Sequence, residues 1–555
     1  MKNRNVAKTQ LQNHFATAVH ADVRRSVLMR NNTHKTTFNC GDLVPVYVDE
    51  VLPGDTMEMS MSFISRLVTP IFPTMDVLDL DFYAFFCPNR LVWDGWEELM
   101  GENKTSAWTP ATPPALVPAT VSYTGLVQVG TIGDYFGLPV GVAPASYGGA
   151  IILPFRMYGL IYNEWFRDQN LQAPIIIDKG NTATTGRRYN PIQPLFKVNK
   201  KHDLFTSCLP APQKGESSLI PIELNDLIPV VTGGLDMVAD SGIGNPLLWT
   251  KTSDGSRYTG DGNLGTALGL TAGLSGSTNN QNVLKPRNLF ADGRFMRLNA
   301  TTISELRTAI QIQKLYERDA RGGTRYIEML KAHFGVDAQD YRLQRPEFLG
   351  HYHSYVGVQQ VPQTSSTDSV SPQGNLAAFS YTEGRGISLF KKSFVEHGFL
   401  FVFAVARQRK TYHQGLPRMF SRRERLDFYM PVLAHISEQP ILNKEIFASS
   451  NSAQNDEVFG YNEAWAQYRY KPNQVTGQFR PGVANSLDAW HYADHYSELP
   501  ILSAGWIEDN SKENVDRTLA VQSSLHNQIM MDIAFQNKST RPMPVHSIPG
   551  FVDHF

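Results

Sequence analysis

In MEMSMSF (57–63), Met57, Met59, Met61 and Phe63 alternate with Glu58, Ser60 and Ser62. Apolar residues at period two with polar partners predict a strand with one face on a core. LDLDFYAFF (78–86) sets Leu78, Leu80, Phe82, Ala84 and Phe86 against Asp79, Asp81, Tyr83 and Phe85 and predicts another half-buried strand. FVEHGFLFVFAVA (394–406) is nearly continuous in Phe and Val, as a strand buried on both faces would be. LVPVYVDEVLPGD (43–55) adds a strand ended by a Pro-Gly-Asp turn. Strands near both chain ends, hundreds of residues apart, predict an all-β fold: one sandwich closed by long-range pairing.

Loops fill the interior of the chain. Residues 105–150 are rich in Pro, Gly, Ala and Thr; residues 233–276 hold eleven glycines and two cations, Lys251 and Arg257; residues 360–386 are again Ser, Thr, Gln and Gly. Loops of such length in a retained fold are usually functional surfaces. One helix is predicted, opened by a Thr302/Glu305 capping box, carrying Ile303, Leu306, Ile310 and Leu315, and stopped by Gly322-Gly323. A second, shorter helix follows with Ile327, Leu330 and Phe334 on one side and Gly335 as its stop.

The 555 residues carry 51 Lys and Arg against 52 Asp and Glu, a net charge of -1. Binding of nucleic acid through overall charge is thereby excluded, and any such contact needs local basic segments. Residues 1–37 form one, with Lys2, Arg4, Lys8, Arg24, Arg25, Arg30 and Lys35 against Asp22 alone. Lacking a period, the segment reads as an extended basic arm ordered only by contact. The cysteines, Cys40, Cys87 and Cys208, are too few and too scattered for a disulfide framework and read as buried thiols. The N-terminal MKNRNVAKTQLQNHF lacks an apolar h-region, so no signal peptide is expected, and the longest apolar run, FLFVFAVA (399–406), is too short to span a bilayer.

The chain contains no Gly-Lys dipeptide, hence no phosphate-cradling P-loop, and neither a G-x-S-x-G elbow nor an H-E-x-x-H zinc helix. Metal candidates reduce to His351 and His353 of HYH, and to His491, Asp494 and His495 of HYADH, with no further ligand nominated. No resident cofactor is expected.

Two tracts carry more information. Between 407 and 425 lie Arg407, Arg409, Lys410, Arg418, Arg422, Arg423 and Arg425 against Glu424, followed by Phe428 and Tyr429. Residues 460–481 repeat the mixture with Trp465, Tyr468, Arg469 and Tyr470. Guanidinium groups contact phosphates bidentately and aromatic rings stack on unpaired bases. The same composition dominates the buried centres of protein–protein interfaces. From the residues alone both readings stand.

Six stretches resemble the major capsid proteins of gokushoviruses, small icosahedral phages of the microvirus group: EVLPGDTMEMSMSFISRLVTPIFPTMD (50–76), FFCPNRLVWDGWEELMGE (85–102), AIQIQKLYERDARGGTRYIEMLKAHFGV (309–336), RLQRPEFLGH (342–351), TYHQGLPRMFSRRERLDFYMP (411–431) and GYNEAWAQYRYKP (460–472). The resemblance covers nearly the whole chain and weakens across 213–293. It implies an eight-stranded antiparallel viral jelly roll with very long loops, forming one domain over 38–555. It also implies a sixty-copy T=1 shell around a circular single-stranded DNA genome, present in the virion and assembled in the host cytoplasm. The implied partners are other copies of the chain, the genome, a small basic DNA-packaging protein, an internal scaffolding protein, a pilot protein and a host surface receptor, with no membrane insertion. A divalent cation between subunits is compatible with this arrangement. The segment 213–293 looks like the family's threefold surface protrusion, with Gly233, Gly244, Trp249, Arg257, Gly262 and Gly273 facing a receptor.

Within this frame, Arg418, Arg422, Arg423, Arg425, Phe428, Tyr429, Trp465, Tyr468, Arg469 and Tyr470 are assigned to subunit contacts. Lys2, Arg4, Lys8, Arg24, Arg25, Arg30 and Lys35 are assigned to DNA inside the shell. A nearly neutral shell protein cannot cancel the genome's phosphate charge, so other cations are required. The rival reading is a carbohydrate-binding or carbohydrate-active β-sandwich.

Overall fold

In a computed structural model of the chain, the described residues are 24–100, 120–121, 124–181, 186–215, 230–232, 249–251, 284–286, 289–291, 303–321, 332, 344–364 and 373–546. The chain divides into two compact units, Met1–Lys214 with Asp319–Phe555, and Gly215–Arg318. The second unit takes in most of the segment 213–293, which the expected single domain over 38–555 carries as an insertion. In that unit Val230–Thr232 pairs with Leu289–Ala291, and Trp249–Lys251 with Leu284–Pro286, all antiparallel. The helix Ile303–Arg321 runs out of it, close to the span predicted.

The first unit is built on nine strands: β1 (Ser26–Met29), β2 (Asn32–Phe38), β3 (Val44–Val51), β4 (Thr56–Leu67), β5 (Leu78–Pro88), β6 (Glu347–Tyr355), β7 (Thr382–Ser393), β8 (Gly398–Gln408) and β9 (Ile529–Arg541). One antiparallel sheet runs β1-β9-β4-β7, with β2 also on β9; the other runs β6-β5-β8-β3. The two sheets meet through side chains of alternate residues. Phe63 of β4 lies 4.9 Å from Phe82 of β5, and Tyr47 of β3 lies 4.9 Å from Phe535 of β9, ring centroid to ring centroid. Met57, Met59, Met61 and Phe63 are buried while Glu58 and Ile64 are exposed, as the alternation predicted. β9 repeats the pattern with Ile529, Met531, Ile533 and Phe535 inward.

β8 is buried on both faces from Leu400 to Ala406. Its outer face is covered by the helix Leu153–Ile161 and the π turn Tyr162–Phe166, which bring Tyr158 and Phe166 to 5.8 and 6.3 Å from Phe403. Phe85 of β5 packs under the same cover, against Trp165 and Phe166. The three cysteines are free and buried, and burial pushes each thiol's pKa up.

The alternation of β5 therefore does not mark a wet face. Asp79 and Asp81 are 1% and 2% exposed. Register sets Asp81 opposite His353 of β6, and Asp79 opposite Arg407 of β8. The Lys201 ammonium lies 2.5 Å from Asp79 and 3.3 Å from Asp81. Arg409 reaches Asp79 at 3.2 Å, and Arg407 reaches Asp81 at 3.4 Å while donating to the Tyr83 hydroxyl at 2.9 Å. His353 Nδ1 and His351 Nε2 hydrogen-bond to Asp81 at 2.7 and 3.1 Å. Two carboxylates can be buried here because cations and imidazoles from three segments of the chain meet them.

The basic arm is also shorter than residues 1–37. β1 and β2 pair along β9, Ser26 opposite Arg541 and Asn32 opposite Phe535. Arg30 forms a bidentate pair with Asp49, and Lys35 meets Asp532 at 3.1 Å. Their charges are engaged within the fold, because an extended polar segment beside an open sheet edge gains ladder hydrogen bonds. Arg24 and Arg25 are exposed ahead of β1, and Lys2, Arg4 and Lys8 lie outside the described residues, as does most of the second predicted helix.

Burial opposes ionisation of Asp81, but Lys201, His353 and Arg407 outweigh it and hold the pKa at about 2. A carboxyl with a depressed folded pKa stabilises fully above its unfolded value, about 3.9, and loses that contribution as pH falls toward the folded one. Asp81→Ala is expected to cost roughly 3–5 kcal/mol at pH 7, because it strands buried cations. It should also flatten the fall in melting temperature between pH ~4 and ~2. Urea and thermal melts of the wild type and the variant measure both effects.

Candidate interaction surface

The tract 415–433 folds as three 3-10 turns, Arg418–Phe420, Arg425–Asp427 and Pro431–Leu433. Its entry is fixed at Gly415, where a Cβ would lie 1.9 Å from the Glu445 carbonyl oxygen, so only glycine fits. The Leu416 N–H donates to the Lys444 carbonyl at 2.7 Å, and Arg418 donates to the Pro440 carbonyl at 3.0 Å. Asp427 accepts from the backbone N–H groups of Arg423 and Glu424 at 2.8 and 2.9 Å, which hold its carboxyl below the usual pKa.

The second tract meets the first at Trp465. This residue adopts φ 66°, a left-handed conformation rare for a bulky side chain. The surroundings enforce it: the Trp465 N–H donates to Gln439 at 3.1 Å, and the indole N–H donates to the Leu433 carbonyl at 2.9 Å. On this buried anchor stand Tyr429, 5.6 Å from Trp465, and Tyr468, 6.0 Å from Tyr429. The Arg422 guanidinium lies 4.4 Å above the Tyr468 ring and 5.6 Å from that of Phe428, and hydrogen-bonds the Tyr468 hydroxyl. Arg469 is tied to Glu463 at 2.8 Å. Arg423 and Arg425 are exposed and have no ion pair among the described residues.

Sequence reasoning missed the apolar part of this surface. Phe420 is 68% and Val432 85% exposed, and Met419 and Leu426 are exposed as well. They follow no period, so only the nearby Gly415 and Pro431 hint at a loop. Chemically, the surface offers rigid rings, apolar tips and free guanidinium N–H groups to a partner's carbonyl, carboxylate or phosphate oxygens.

The remaining cations of the tract are engaged inside the fold. Arg407 and Arg409 serve the β5 carboxylates, and the buried Lys410 lies 3.7 Å from Asp494 and 3.2 Å from Asp509. The histidines are engaged likewise. His351 and His353 bond Asp81, His491 bonds the Phe479 carbonyl at 2.6 Å, and His495 stacks on His413 with ring nitrogens 3.2 Å apart. Burial and neighbouring cations push His413 down to about 4, which keeps it neutral near pH 7. Among the described residues no group of three or more His, Cys, Asp or Glu is placed to hold a metal ion, and no helix is long and apolar enough to cross a membrane. Of the receptor-facing candidates, Trp249 lies in the strand Trp249–Lys251, and Gly233, Gly244, Arg257, Gly262 and Gly273 fall outside the described residues.

Comparison with known proteins gives this surface a context. A family described as "Capsid protein (F protein)" matches residues 17–551. The chain is 39% identical to "Capsid protein VP1" of Chlamydia phage 1, over 97% of this chain and 98% of that protein. It is 40% identical to the protein of the same description from Bdellovibrio phage phiMH2K, over 98% of each. It is 42% identical to that of Spiroplasma virus 4, over 93% of this chain and 94% of the relative.

The anchor and the tips of the surface should separate in stability measurements. Trp465→Ala is expected to cost roughly 3–5 kcal/mol in urea unfolding, as loss of a buried aromatic does. Phe420→Ala and Val432→Ala should stay within about 0.5 kcal/mol of wild type, since neither touches the core.

Proposed function

The chain belongs to the F-protein family of phage capsid proteins, and on that premise we propose how this member builds its shell. It is a major capsid protein, a structural component of the virion, and its work is binding rather than turnover. The proposed architecture is the viral jelly roll. Counting β1 and β2 as one broken strand leaves eight, in the order first-eighth-third-sixth in one sheet and fifth-fourth-seventh-second in the other. That is the interleaving of two nested Greek keys, and it supports the reading.

Copies of the chain mate with one another, sixty to a T=1 shell, around a circular single-stranded DNA genome. The observation that carries the assembly reading is the surface of Arg422, Arg423, Arg425, Phe428, Tyr429, Tyr468 and Tyr470, with Arg422 locked on the rings and the apolar tips and the guanidinium groups of Arg423 and Arg425 in solvent. The ordering cost of such a surface is met before any partner arrives. Moderate polar and aromatic contacts also let misplaced subunits leave, which a closing lattice needs.

A net charge of -1 leaves the genome's phosphates to other cations. A small basic packaging protein fits that requirement, with scaffolding and pilot proteins as further partners by family likeness. The residual arm is Lys2, Arg4 and Lys8 with Arg24 and Arg25, and we assign it to the shell's interior. The segment 213–293 is assigned to the outer protrusion and the host receptor, on the strength of its weakened resemblance and Gly-rich composition. The carbohydrate-active alternative has no observation in its favour.

The test is the full chain expressed with its own genome's other virion proteins, examined by sedimentation and negative-stain microscopy. Closed particles of one size are expected. Discrete monomers that process a sugar would overturn the reading. Phe420→Asp combined with Arg422→Glu should keep the wild-type melting temperature within a few degrees yet abolish particles, each contact contributing about 2 kcal/mol or more at an interface centre. Removal of residues 1–23 should lower the DNA retained per particle while leaving folding intact.

A further inference from the structure

β8 ends at Gln408, and the chain returns to that point at Ser511, whose hydroxyl accepts from the Gln408 N–H at 2.9 Å. Between the two lies the whole excursion that carries the interaction surface. Its base is closed by residues 100 apart in sequence, where the Lys410 ammonium donates to the Asn510 side-chain oxygen. The Lys410 carbonyl accepts from Asn473 at 3.0 Å, and the side chain is 2% exposed. Asn510 stands at the N-cap of the short helix Ser511–Asp516, where an asparagine side chain ordinarily accepts from the first free N–H groups. Here it caps nothing and is turned onto the lysine instead.

A buried carboxylate completes the group. Asp494 Oδ1 accepts from the Asn510 amide nitrogen at 2.9 Å, from Asn514 at 2.6 Å and from Gln408 at 3.2 Å, and lies 3.7 Å from Lys410 Nζ. One oxygen therefore bonds the amide nitrogen and stands close to the amine. Asp494 Oδ2 is buried without a hydrogen-bond partner among the described residues. Asp509 lies 3.2 Å from the same amine. Burial, and after it the charge of Lys410, lowers the nearby Lys200 to about 8, so ammonium groups are disfavoured at this place. An ion pair this dry converts readily to a neutral amine and a neutral carboxylic acid. A desolvated neutral lysine is a nucleophile. A plain ion pair would account neither for the asparagine that leaves its helix uncapped nor for the stranded Oδ2.

We propose that Lys410 and Asn510 become joined by an isopeptide bond, with Asp494 as the proton carrier. Asp494 takes one proton from the ammonium, the freed electron pair on Nζ attacks Cγ of Asn510, and the carbonyl π pair moves to Oδ1. Asp494 hands its proton to Nδ2. Collapse of the oxyanion then breaks the Cγ–Nδ2 bond and expels ammonia, which leaves as ammonium with the proton still to be lost from Nζ. A lysine ammonium and a side-chain amide become a secondary amide and an ammonium ion, and no oxidant or further reactant is consumed. The bond ties off the excursion at its base, so the interaction surface stays attached to β8 through local opening. This chemistry stands apart from the shell reading and does not depend on it.

Mass spectrometry of the full chain, purified and denatured, tests the proposal. The wild type should be lighter than its sequence by one ammonia, and a protease digest should contain a branched peptide that joins the segments around 410 and 510. Lys410→Arg keeps a cation for both aspartates but offers no nucleophile, and Asp494→Asn removes the proton carrier. Each should return the full sequence mass and linear peptides alone. Should either variant fail to fold, the wild-type digest decides by itself. A wild type at full sequence mass would overturn the proposal. So would a missing ammonia with 410 and 510 in separate linear peptides, which would place the loss at another residue. A branched peptide that persists in Asp494→Asn would remove the role given to Asp494.

Discussion

Among the described residues, the first and last strands pair with each other, and this closure sets the terms for everything between them. β2 lies along β9 from Asn32 opposite Phe535 to Phe38 opposite Ile529. Just beyond, the Cys40 N–H donates to Gln528 and Asn39 bonds Asn527, across 488 residues of sequence. Closing so long a loop is costly once, but the cost grows only with the logarithm of length. Extra residues can therefore be inserted between strands at little further expense. The connection between β5 and β6 uses this freedom: it supplies the helix that covers β8, the lysine that pairs with Asp79 and the whole of the second unit.

The same residue types serve two ends in this frame, and the difference lies in what stands opposite them. Arg407, Arg409 and Lys410 each face a buried carboxylate and are thereby part of the core's electrostatics. Arg422, a few residues on, faces only rings, and Arg423 and Arg425 face solvent. Gly415 marks the change, because there the chain leaves the sandwich and is pinned against Glu445. A cation inside the sheet rigidifies the fold; beyond Gly415, Arg418 and Arg469 are still bonded within the chain, while Arg423 and Arg425 are left to solvent.

Preorganisation links the fold to assembly. The left-handed Trp465 and its hydrogen bonds to Gln439 and Leu433 hold the rings before any contact forms. A subunit that orders few side chains on docking retains more of its contact energy as affinity.

How much of this was legible in the sequence depended on the range of the cause. Period-two patterns located β4 and β5, because alternation is imposed by the pleat itself; β8 was marked by its continuous apolar run and β3 by the Pro-Gly-Asp turn that ends it. β2, NTHKTTF, escaped notice because an edge segment held chiefly by ladder bonds carries no apolar signature. The tracts at 415–431 and 460–472 were visible as composition, since Arg and aromatic residues cluster locally. Their apolar tips were not, because exposure in a loop follows no period. The sequence by itself determined which strand faces could enter a core, that no familiar catalytic motif is present, and which tracts are rich in guanidinium groups and rings. Only the tertiary structure decided that the second face of β5 is buried and which cations remain free, because that depends on where carboxylates from distant segments come to rest, and no local pattern records distance across the chain.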